Sequence, residues 1–285
     1  MPGSPGTGFR QETGDTMKVV IFCGGQGLRL RMREYSDRIP KPMVEIGYRP
    51  LLWHVMKYYA NYGHKDFILC LGYRSDIVKK YFLDYNEATS NDFVLSKGGK
   101  NIQLLGSDID DWRITFVDTG LHSNIGQRLK AVEKHLEGEE IFLANYSDGL
   151  SDVPLEKVLE NFYRCNKVGC FVSVQPTHSF HVVSFKKDLT VDGITHLSKS
   201  GIWINGGFFV FKKDIFKYIQ AGEELVEEPF QRLIAGKQLI TYKYNGFWMA
   251  MDTFKDKQIL DEIHSKGNAP WEVWKNNNCL KVSSG

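Results

Sequence analysis

Residues 18–31 read KVVIFCGGQGLRLR, an apolar run that stops at three glycines within four positions and continues into alternating arginines and leucines. A continuous apolar run of this kind is typical of a strand buried on both faces of a sheet. Glycines directly after a strand let backbone N–H groups approach an anion, and the N-terminus of a following helix adds partial positive charge. The stretch therefore predicts a buried first strand and a loop that can bind phosphate.

The front of the chain continues with strands and helices in alternation. Residues 51–59 carry apolar side chains at helical spacing between Pro50 and Gly63, and Ser75 can cap a second helical pattern. The alternating segments are the strands 67–73, 113–118 and 141–146 and the helices 51–59, 76–85 and 127–136. Repeated βαβ units predict an α/β fold with a mostly parallel sheet flanked by helices, and with ligands at the carboxyl ends of the strands.

The pattern changes after Asp152. A helix over 155–165 leads into strands at 170–175, 181–185 and 201–211, and the turn signal VDG at 191–193 favours antiparallel pairing. A last helical stretch covers 255–267. We therefore expect one domain over 17–285, with a nucleotide-binding half at 17–152 and a smaller mixed or antiparallel half at 153–285. Residues 1–16, rich in Gly, Pro and Thr, are expected to form a disordered leader or an expression remnant.

Composition excludes several classes of function. A formal net charge of +2, without a block of like charges, argues against nucleic acid as a partner. No run of 18 apolar residues or secretory segment stands in the sequence, so neither a membrane nor export is expected. Five cysteines without a CxxC pair favour free thiols in a reducing cytoplasm. His178 and His181 lack nearby Cys or carboxylate partners at zinc-site spacing, which disfavours a metal role for them.

The glycine loop differs from two common phosphate-binding motifs. No GxxxxGK[ST] stretch is present, and Gly25, Gly27 and Leu30 give GxGxxL where a dinucleotide fingerprint needs GxGxxG. Basic residues follow the loop instead: Arg29, Arg31, Arg33, Arg38 and Lys41. Lys41 stands between two prolines, which predicts an extended, stiff backbone that aims its side chain. Phosphate binding and a plain basic loop both remain open on this pattern.

Two aspartates occupy positions suited to Mg²⁺, which takes one or two carboxylates plus substrate phosphates. Asp148 follows the strand 141–146 and precedes a glycine, and Asp252 follows a short apolar run before the last helix. Each also has a structural alternative, because Asp148 can form an Asp-Gly turn and Asp252 can cap the helix.

Seven motifs occur in the order found in the sugar-1-phosphate nucleotidyltransferases, and the sequence resembles the cytidylyltransferase branch of that family in particular. They are GGQGLRL (24–30), KPMVEIG (41–47), DTG (118–120), YSDG (146–149), INGGFFVF (204–211), EEP (227–229) and GFWMAMDT (246–253). The resemblance runs from Met17 to about Trp274. It implies a Rossmann-like pyrophosphorylase fold that joins CTP and a sugar 1-phosphate, with glucose 1-phosphate as the first expectation, and releases pyrophosphate.

The resemblance also implies roles for single residues. On the nucleotide side it gives backbone contacts from Gly24, Gly25 and Gly27, Arg29 on the leaving phosphates, Lys41 on the α-phosphate, and Gly126 and Arg128 near the cytidine. It assigns Mg²⁺ to Asp148 and Asp252. On the sugar-phosphate side it places Lys199, Asn205, Gly206 and Glu228. Since charge neutralisation and alignment suffice for phosphoryl transfer, no covalent intermediate is expected.

The sequence departs from the family pattern at several positions. Leu28 replaces a threonine in the glycine loop, and LSKSG at 197–201 stands where the family has Glu-Lys-Pro, so that Ser198 replaces the acid. An Arg-Phe-Gly stretch is replaced by residues 179–181. Three readings stay open: a glucose 1-phosphate enzyme with relaxed contacts, an enzyme for another phosphorylated acceptor or nucleotide, and a non-catalytic nucleotide-binding homologue. The family commonly assembles into homo-oligomers, for which residues 202–219 are the candidate interface.

Overall fold

The computed structural model describes residues 16–25, 39–177 and 180–275. The expected leader at 1–16 lies outside these ranges except for Thr16. The strands, in chain order, are β1 (Lys18–Phe22), β2 (Glu45–Ile46), β3 (Arg49–Pro50), β4 (Asp66–Leu71), β5 (Phe93–Ser96), β6 (Asn101–Leu104), β7 (Arg113–Asp118), β8 (Ile141–Tyr146), β9 (Gly149–Ser151), β10 (Gly169–Val174), β11 (His181–Phe185), β12 (Val191–His196), β13 (Ile204–Lys212), β14 (Leu239–Tyr244) and β15 (Trp248–Ala250). The α-helices are α1 (Leu51–Asn61), α2 (Ser75–Leu83), α3 (Ile125–Ala131), α4 (Leu155–Cys165), α5 (Glu228–Ala235) and α6 (Phe254–Ser265).

The described strands build a central seven-stranded sheet in the order β14-β10-β13-β8-β1-β4-β7. The pairs β1–β4, β1–β8, β4–β7 and β10–β14 are parallel, and β13 runs antiparallel to both of its neighbours. Six strands therefore share one direction, and the predicted mostly parallel α/β sheet is confirmed. Strands from both sides of residue 152 join the same sheet.

Both faces of the sheet are covered, which explains the unbroken apolar run of β1. Val19 and Ile21 point to one hydrophobic cluster, while Val20 and Phe22 point to another on the opposite face. Side chains of α1, α2, α4 and α6 pack in the first cluster, and those of α3 and α5 pack in the second. A strand buried on both sides cannot alternate apolar with polar residues.

Two local predictions were wrong. Ser75 does not cap α2, because it is the first helical residue and Arg74 is the N-cap, with φ 50° and no side-chain capping bond. The VDG signal at 191–193 does not form a turn, since these residues belong to β12. The chain instead turns at 186–190, where Leu189 adopts φ 68° and Asp188 accepts the Thr190 amide at 3.1 Å.

The proposed interface segment 202–219 contains β13, which lies between β10 and β8 and is largely buried within the subunit. Its apolar residues serve the core, so the prediction of a subunit interface along this segment was wrong for the strand. Exposed apolar side chains occur instead on two hairpins outside the central sheet, β5–β6 and β11–β12.

The carboxyl ends of the parallel strands bring the predicted site residues to one edge. Gly24 and Gly25 follow β1, Asp148 follows β8, and Asn205 lies at the start of the antiparallel β13 on the same edge. In the short β9–β15 ribbon Gly149 lies opposite Ala250, and this pairing brings the segment of Asp148 beside that of Asp252.

Candidate active site

Lys41, Asp148 and Asp252 meet at this edge although 211 positions of sequence separate the first from the last. The Lys41 Nζ donates to Asp148 Oδ2 at 2.8 Å and to Asp252 Oδ1 at 2.7 Å. The Met251 amide donates to the Asp148 carbonyl at 2.8 Å, which fixes the two aspartate loops to each other. The Ser147 hydroxyl donates to the Phe22 carbonyl at 2.8 Å and so ties the Asp148 loop to the end of β1.

The electrostatics of the trio favour a charged lysine. Burial alone would lower the pKa of Lys41, but the nearby Asp148 and Asp252 carboxylates outweigh it and raise the pKa above its ordinary value. The lysine side chain is 14% exposed, whereas those of Asp148 and Asp252 are 35% and 29% exposed. The ammonium is thus the inner member of the trio, and the carboxylates remain accessible from solvent.

The backbone of Lys41 is not extended, contrary to the prediction from its flanking prolines. Lys41–Met43 form one turn of 3-10 helix after an extended Pro40, and the Met43 amide donates to the Pro40 carbonyl at 2.8 Å. The turn directs Lys41 toward the sheet edge, while Pro42 and Met43 are buried. The prolines therefore fix a turn rather than an extended segment.

The capping alternative for Asp252 is not realised. Thr253 is the N-cap of α6 and forms a capping box with Asp256, whose carboxylate accepts the Thr253 amide at 2.7 Å. Because Thr253 and Asp256 satisfy the helix terminus, the Asp252 carboxylate is available to Lys41. Asp148 does lie in a turn before Gly149, but its side chain points to the same ammonium.

The donor set fits a magnesium ion. Two carboxylate oxygens lie within 2.8 Å of one nitrogen, so both can reach a common cation. Within residues 16–25, 39–177 and 180–275, no group of three or more His, Cys, Asp or Glu side chains forms a complete metal site. Two carboxylates with substrate phosphates and water are a usual Mg²⁺ environment, since this ion is seldom enclosed by protein ligands alone.

The described part of the glycine loop is shaped by Arg128. A Cβ atom on Gly24 would lie 1.9 Å from an Arg128 guanidinium nitrogen, and one on Gly72 would lie 2.9 Å from it. The guanidinium donates to the Gly24 carbonyl at 2.9 Å, to Leu71 O at 3.1 Å and to Thr119 Oγ1 at 2.7 Å. It thereby joins the carboxyl ends of β1, β4 and β7. Gly27 and Arg29 lie outside the described residues.

Arg128 itself is 2% exposed and lies behind the loop. Gly126, on the same helix, is tightly packed, because a Cβ there would lie 2.2 Å from the Glu223 carbonyl oxygen. The contacts of both residues are thus with protein groups. Their roles at the cytidine stay predictions, and the structure adds for Arg128 a role in holding the glycine loop.

Replacing Arg128 by methionine should lower the free energy of unfolding by about 2 kcal/mol, because buried carbonyls lose their donor. Thermal and urea unfolding measure this loss. Arg113→Met is the matched control, since the Arg113 side chain is 75% exposed and pairs with Asp66 at the surface. Equal stability of the two variants would contradict the role of Arg128 in joining the ends of β1, β4 and β7.

The acceptor-side residues are spread along the edge. Asn205 accepts the Gly207 amide at 2.9 Å, and the Gly206 carbonyl accepts Trp248 Nε1 at 2.8 Å. Lys199 is the exposed last residue of a 3-10 turn at Leu197–Lys199, and Glu228 is the exposed first residue of α5. The structure therefore places Asn205 and Gly206 at the start of β13, at the edge that carries Asp148. Lys199 and Glu228 lie on other segments.

A cavity of about 270 Å³ adjoins Ser198, the residue that replaces the family's acid. Its lining carries uncharged polar groups and aromatic rings and, in the described residues, no carboxylate or ammonium: the residues are Val174, Gln175, Pro176, Thr177, Ser198, Tyr244, Asn245, Gly246, Phe247, Trp248 and Met249. The Ser198 hydroxyl lies 2.7 Å from His196 Nδ1. Sequence reasoning named Ser198 but missed this neutral cavity and its Trp248 wall.

Tyr146 is a second residue that the sequence reasoning passed over. Its ring would meet a Cβ on Gly207 at 2.6 Å, and Gly207 has φ 78°, so only glycine fits beside it. Burial raises the pKa of the Tyr146 hydroxyl well above its ordinary value. The signal was its place in the YSDG motif, two residues before Asp148.

Comparison with known proteins shows the family to which this chain is related. The sequence model of the nucleotidyl transferase family matches residues 18–257. A probable glucose-1-phosphate cytidylyltransferase of Bacillus subtilis is 35% identical over 260 residues, which cover 90% of this chain and 100% of that protein. Glucose-1-phosphate cytidylyltransferase of Salmonella typhimurium is 35% identical over 259 residues with the same coverage. A solved UDP-glucose pyrophosphorylase complexed with UDP-glucose superposes with a TM-score of 0.64 at 14% identity, covering 89% of this chain and 100% of its own.

The chain therefore belongs to the nucleotidyl transferase family of enzymes. Within that family it is similar to the glucose-1-phosphate cytidylyltransferases, so the resemblance drawn from the ordered motifs is confirmed. The last structure, at low identity, supports the fold alone. None of the helices in the described ranges is long and apolar enough to cross a bilayer.

Proposed function

We propose that this protein transfers a cytidylyl group from CTP to a sugar 1-phosphate, most directly glucose 1-phosphate, and forms a CDP-sugar and pyrophosphate. The observation that carries the proposal is the meeting of Lys41, Asp148 and Asp252 at the carboxyl edge of the sheet. The choice of CTP as the nucleotide and glucose 1-phosphate as the acceptor rests on the cytidylyltransferases that are 35% identical to this chain. The same trio argues against a homologue that only binds nucleotide, because binding alone does not need this arrangement.

The reaction is a direct displacement at phosphorus. An oxygen of the acceptor phosphate forms a bond to the α-phosphorus of CTP, and the bond from that phosphorus to the bridging oxygen of the leaving pyrophosphate breaks. The acceptor monoester is substantially ionised at neutral pH, so no protein base has to remove a proton. Both partners are anionic, and the chief task of the protein is therefore to offset their repulsion and align them.

Lys41 offsets part of the negative charge that develops around the α-phosphorus, and its burial strengthens that interaction. Asp148 and Asp252 would hold Mg²⁺, which when bound neutralises phosphate charge and orients the phosphates. The backbone N–H groups of the glycine loop, with Arg29, bind the phosphates that leave. Arg128 keeps the loop in place through the Gly24 carbonyl, and Gly126 with Arg128 is assigned to the cytidine side of the site.

The acceptor contacts are assigned to Lys199, Asn205, Gly206 and Glu228. A second candidate function rests on Ser198 and the neutral cavity beside it. A serine hydroxyl cannot hold a sugar hydroxyl as firmly as a carboxylate can. The serine, unlike a carboxylate, does not repel an anionic group on the acceptor. The cavity therefore favours, as the alternative substrate, a phosphorylated acceptor other than glucose 1-phosphate.

Replacing Ser198 by glutamate should improve the use of glucose 1-phosphate relative to other acceptors, because the carboxylate restores a strong hydrogen-bond acceptor at the cavity. The ratio of kcat/KM values for glucose 1-phosphate and a second sugar 1-phosphate measures the effect. Ser184→Glu, on the exposed hairpin strand β11, is the control for added charge. An unchanged ratio in Ser198→Glu would remove Ser198 from the acceptor site.

The proposed function is tested by pyrophosphate release. The protein is incubated with Mg²⁺, each nucleoside triphosphate in turn and a panel of sugar 1-phosphates. Release with CTP and glucose 1-phosphate supports the first proposal, and release only with another acceptor supports the second. Absence of release with every pair would contradict both and leave a nucleotide-binding homologue.

We also propose that copies of the chain associate through the β11–β12 hairpin. Val183 pairs with Ile194 and Phe185 with Val191, so these side chains share one face, and all of them are exposed. An exposed apolar face of this kind favours burial against a second copy.

The cysteines support a reducing, cytoplasmic setting for the protein. None of Cys23, Cys70, Cys165 and Cys170 forms a disulfide. Burial raises the pKa of the Cys23 thiol to about 12, so this thiol stays protonated at neutral pH.

Changing Ile194 to lysine should shift the protein to a smaller assembly, because a charge on the apolar face opposes its burial. Light scattering after size-exclusion chromatography measures the molar mass. Thr195→Lys adds the same charge to the opposite face of the same strand and should leave the mass unchanged. Equal masses for Ile194→Lys and the parent would contradict this interface.

A further inference from the structure

The two carboxylates that are assigned to Mg²⁺ already hold a cation of the protein itself. The Lys41 ammonium lies 2.8 Å from Asp148 Oδ2 and 2.7 Å from Asp252 Oδ1. We propose that Lys41 and a divalent cation compete for this carboxylate pair, so that without substrate the lysine occupies the pair and keeps the metal out. The inference rests on the proposed function, in which the pair is the metal site.

The competition follows from distance and charge. A Mg²⁺ ion binds oxygen at about 2.0–2.1 Å, so an ion at these two oxygens would lie within a few ångströms of the ammonium. The Lys41 side chain is only 14% exposed, and water screens the resulting repulsion poorly at such a site. Among the described residues no third metal-ligating side chain joins the pair to form a site for both cations.

A polyphosphate supplies the anionic charge that the pair lacks. Two carboxylates and the phosphate oxygens together can balance both an ammonium and a divalent ion, whereas the carboxylates alone cannot. Lys41 then exchanges carboxylate oxygens for phosphate oxygens. The metal is therefore expected to bind tightly only together with nucleotide, and the lysine reaches its phosphate because the metal has taken its place on the aspartates.

Binding of Mn²⁺ to the full-length protein without nucleotide tests the competition. Electron paramagnetic resonance of free Mn²⁺ gives the dissociation constant for the parent, Lys41→Met and Lys41→Arg. We expect Lys41→Met to bind Mn²⁺ about tenfold to a hundredfold more tightly than the parent, and Lys41→Arg to bind as weakly as the parent. Adding Asp252→Asn to Lys41→Met should abolish the gain.

Lys257→Met is the matched control, because Lys257 pairs with Asp261 within α6 and should not affect Mn²⁺ affinity. No gain in affinity for a folded Lys41→Met would overturn the inference. A gain in Lys41→Met that equals one in Lys257→Met would also overturn it, since general charge would then explain both.

A second measurement uses only the parent protein and covers the case in which Lys41→Met does not fold. Acetic anhydride labels accessible lysines, and mass spectrometry of peptides reports the labelled fraction of each one. Saturating Mn²⁺ should raise the labelling of Lys41 and leave that of Lys257 unchanged. Unchanged labelling of Lys41 would overturn the inference.

The two hypotheses fail in different ways. If no nucleoside triphosphate yields pyrophosphate but Lys41→Met gains Mn²⁺ affinity, the proposed function fails and the competition stands. If CTP is turned over but Lys41→Met gains no affinity, the competition fails and the proposed function stands.

Discussion

Replacing Lys41 by alanine is expected to lower kcat for pyrophosphate release by about a hundredfold to a thousandfold, the usual effect of losing one preorganised donor at a developing charge. The Lys41 side chain is only 14% exposed, and burial makes its charge effective. Since the charge that it meets grows in the transition state, the loss should appear in kcat more than in KM. Steady-state kinetics with CTP and glucose 1-phosphate measure both constants.

Lys257→Ala is the control for this prediction, because it also removes a lysine that pairs with a carboxylate, in this case Asp261 on α6. Its turnover should match that of the parent. Removal of the ammonium leaves the Asp148 and Asp252 carboxylates without their shared hydrogen-bond donor. Circular dichroism must therefore show that Lys41→Ala is folded. A folded Lys41→Ala with parental kcat would remove Lys41 from the mechanism.

Changing Asp252 to asparagine is expected to lower turnover by about a hundredfold or more, because a metal ion contributes several kcal/mol of charge stabilisation to phosphoryl transfer. The substitution keeps the shape of the side chain but removes the charge that would hold Mg²⁺. The concentration of Mg²⁺ that gives half-maximal activity should rise as well. A titration of pyrophosphate release with Mg²⁺ measures both effects.

Asp256→Asn is the matched control, four residues along the chain. Asp256 accepts the backbone amides of Asp252 and Thr253, so its loss should lower stability by about 1 kcal/mol through the capping box of α6. Its Mg²⁺ requirement should stay close to that of the parent. If both variants shift the requirement equally, Asp252 acts through the helix terminus and not through a metal.

The sequence allowed much of the fold to be predicted, because local pattern determines it. The unbroken apolar run of β1 indicated burial on both faces, and both core clusters include its side chains. The repeated βαβ order indicated a parallel sheet, which places chain segments after β1 and β8 at one edge. That rule predicts that Asp148 and the glycine loop lie at the same edge of the sheet.

The details that escaped prediction depend on tertiary contacts. Two prolines around Lys41 are compatible with an extended segment or a tight turn, and packing of Pro42 and Met43 selects the turn. The resemblance placed Arg128 near the cytidine and did not predict its burial under Gly24, where three strand ends present carbonyl or hydroxyl oxygens to it. Burial of a guanidinium depends on such partners, which are scattered along the chain.

The apolar residues of β13 illustrate the same limit. Their pattern fits an interface strand and an inner strand equally well, and only the pairing with β8 and β10 decides between them. The neutral cavity beside Ser198 likewise forms from segments around 175, 198 and 245 that are distant in sequence. The motifs thus singled out Lys41, Asp148 and Asp252, which the structure brings together, whereas they did not predict the shape of the cavity beside Ser198.

The most direct test of the central claim is pyrophosphate release by the parent protein from CTP and a sugar 1-phosphate, with and without Mg²⁺. We predict Mg²⁺-dependent release from CTP, with glucose 1-phosphate as the first acceptor, and formation of the corresponding CDP-sugar. No release from CTP with any sugar 1-phosphate in the presence of Mg²⁺, from protein shown to be folded, would contradict the account.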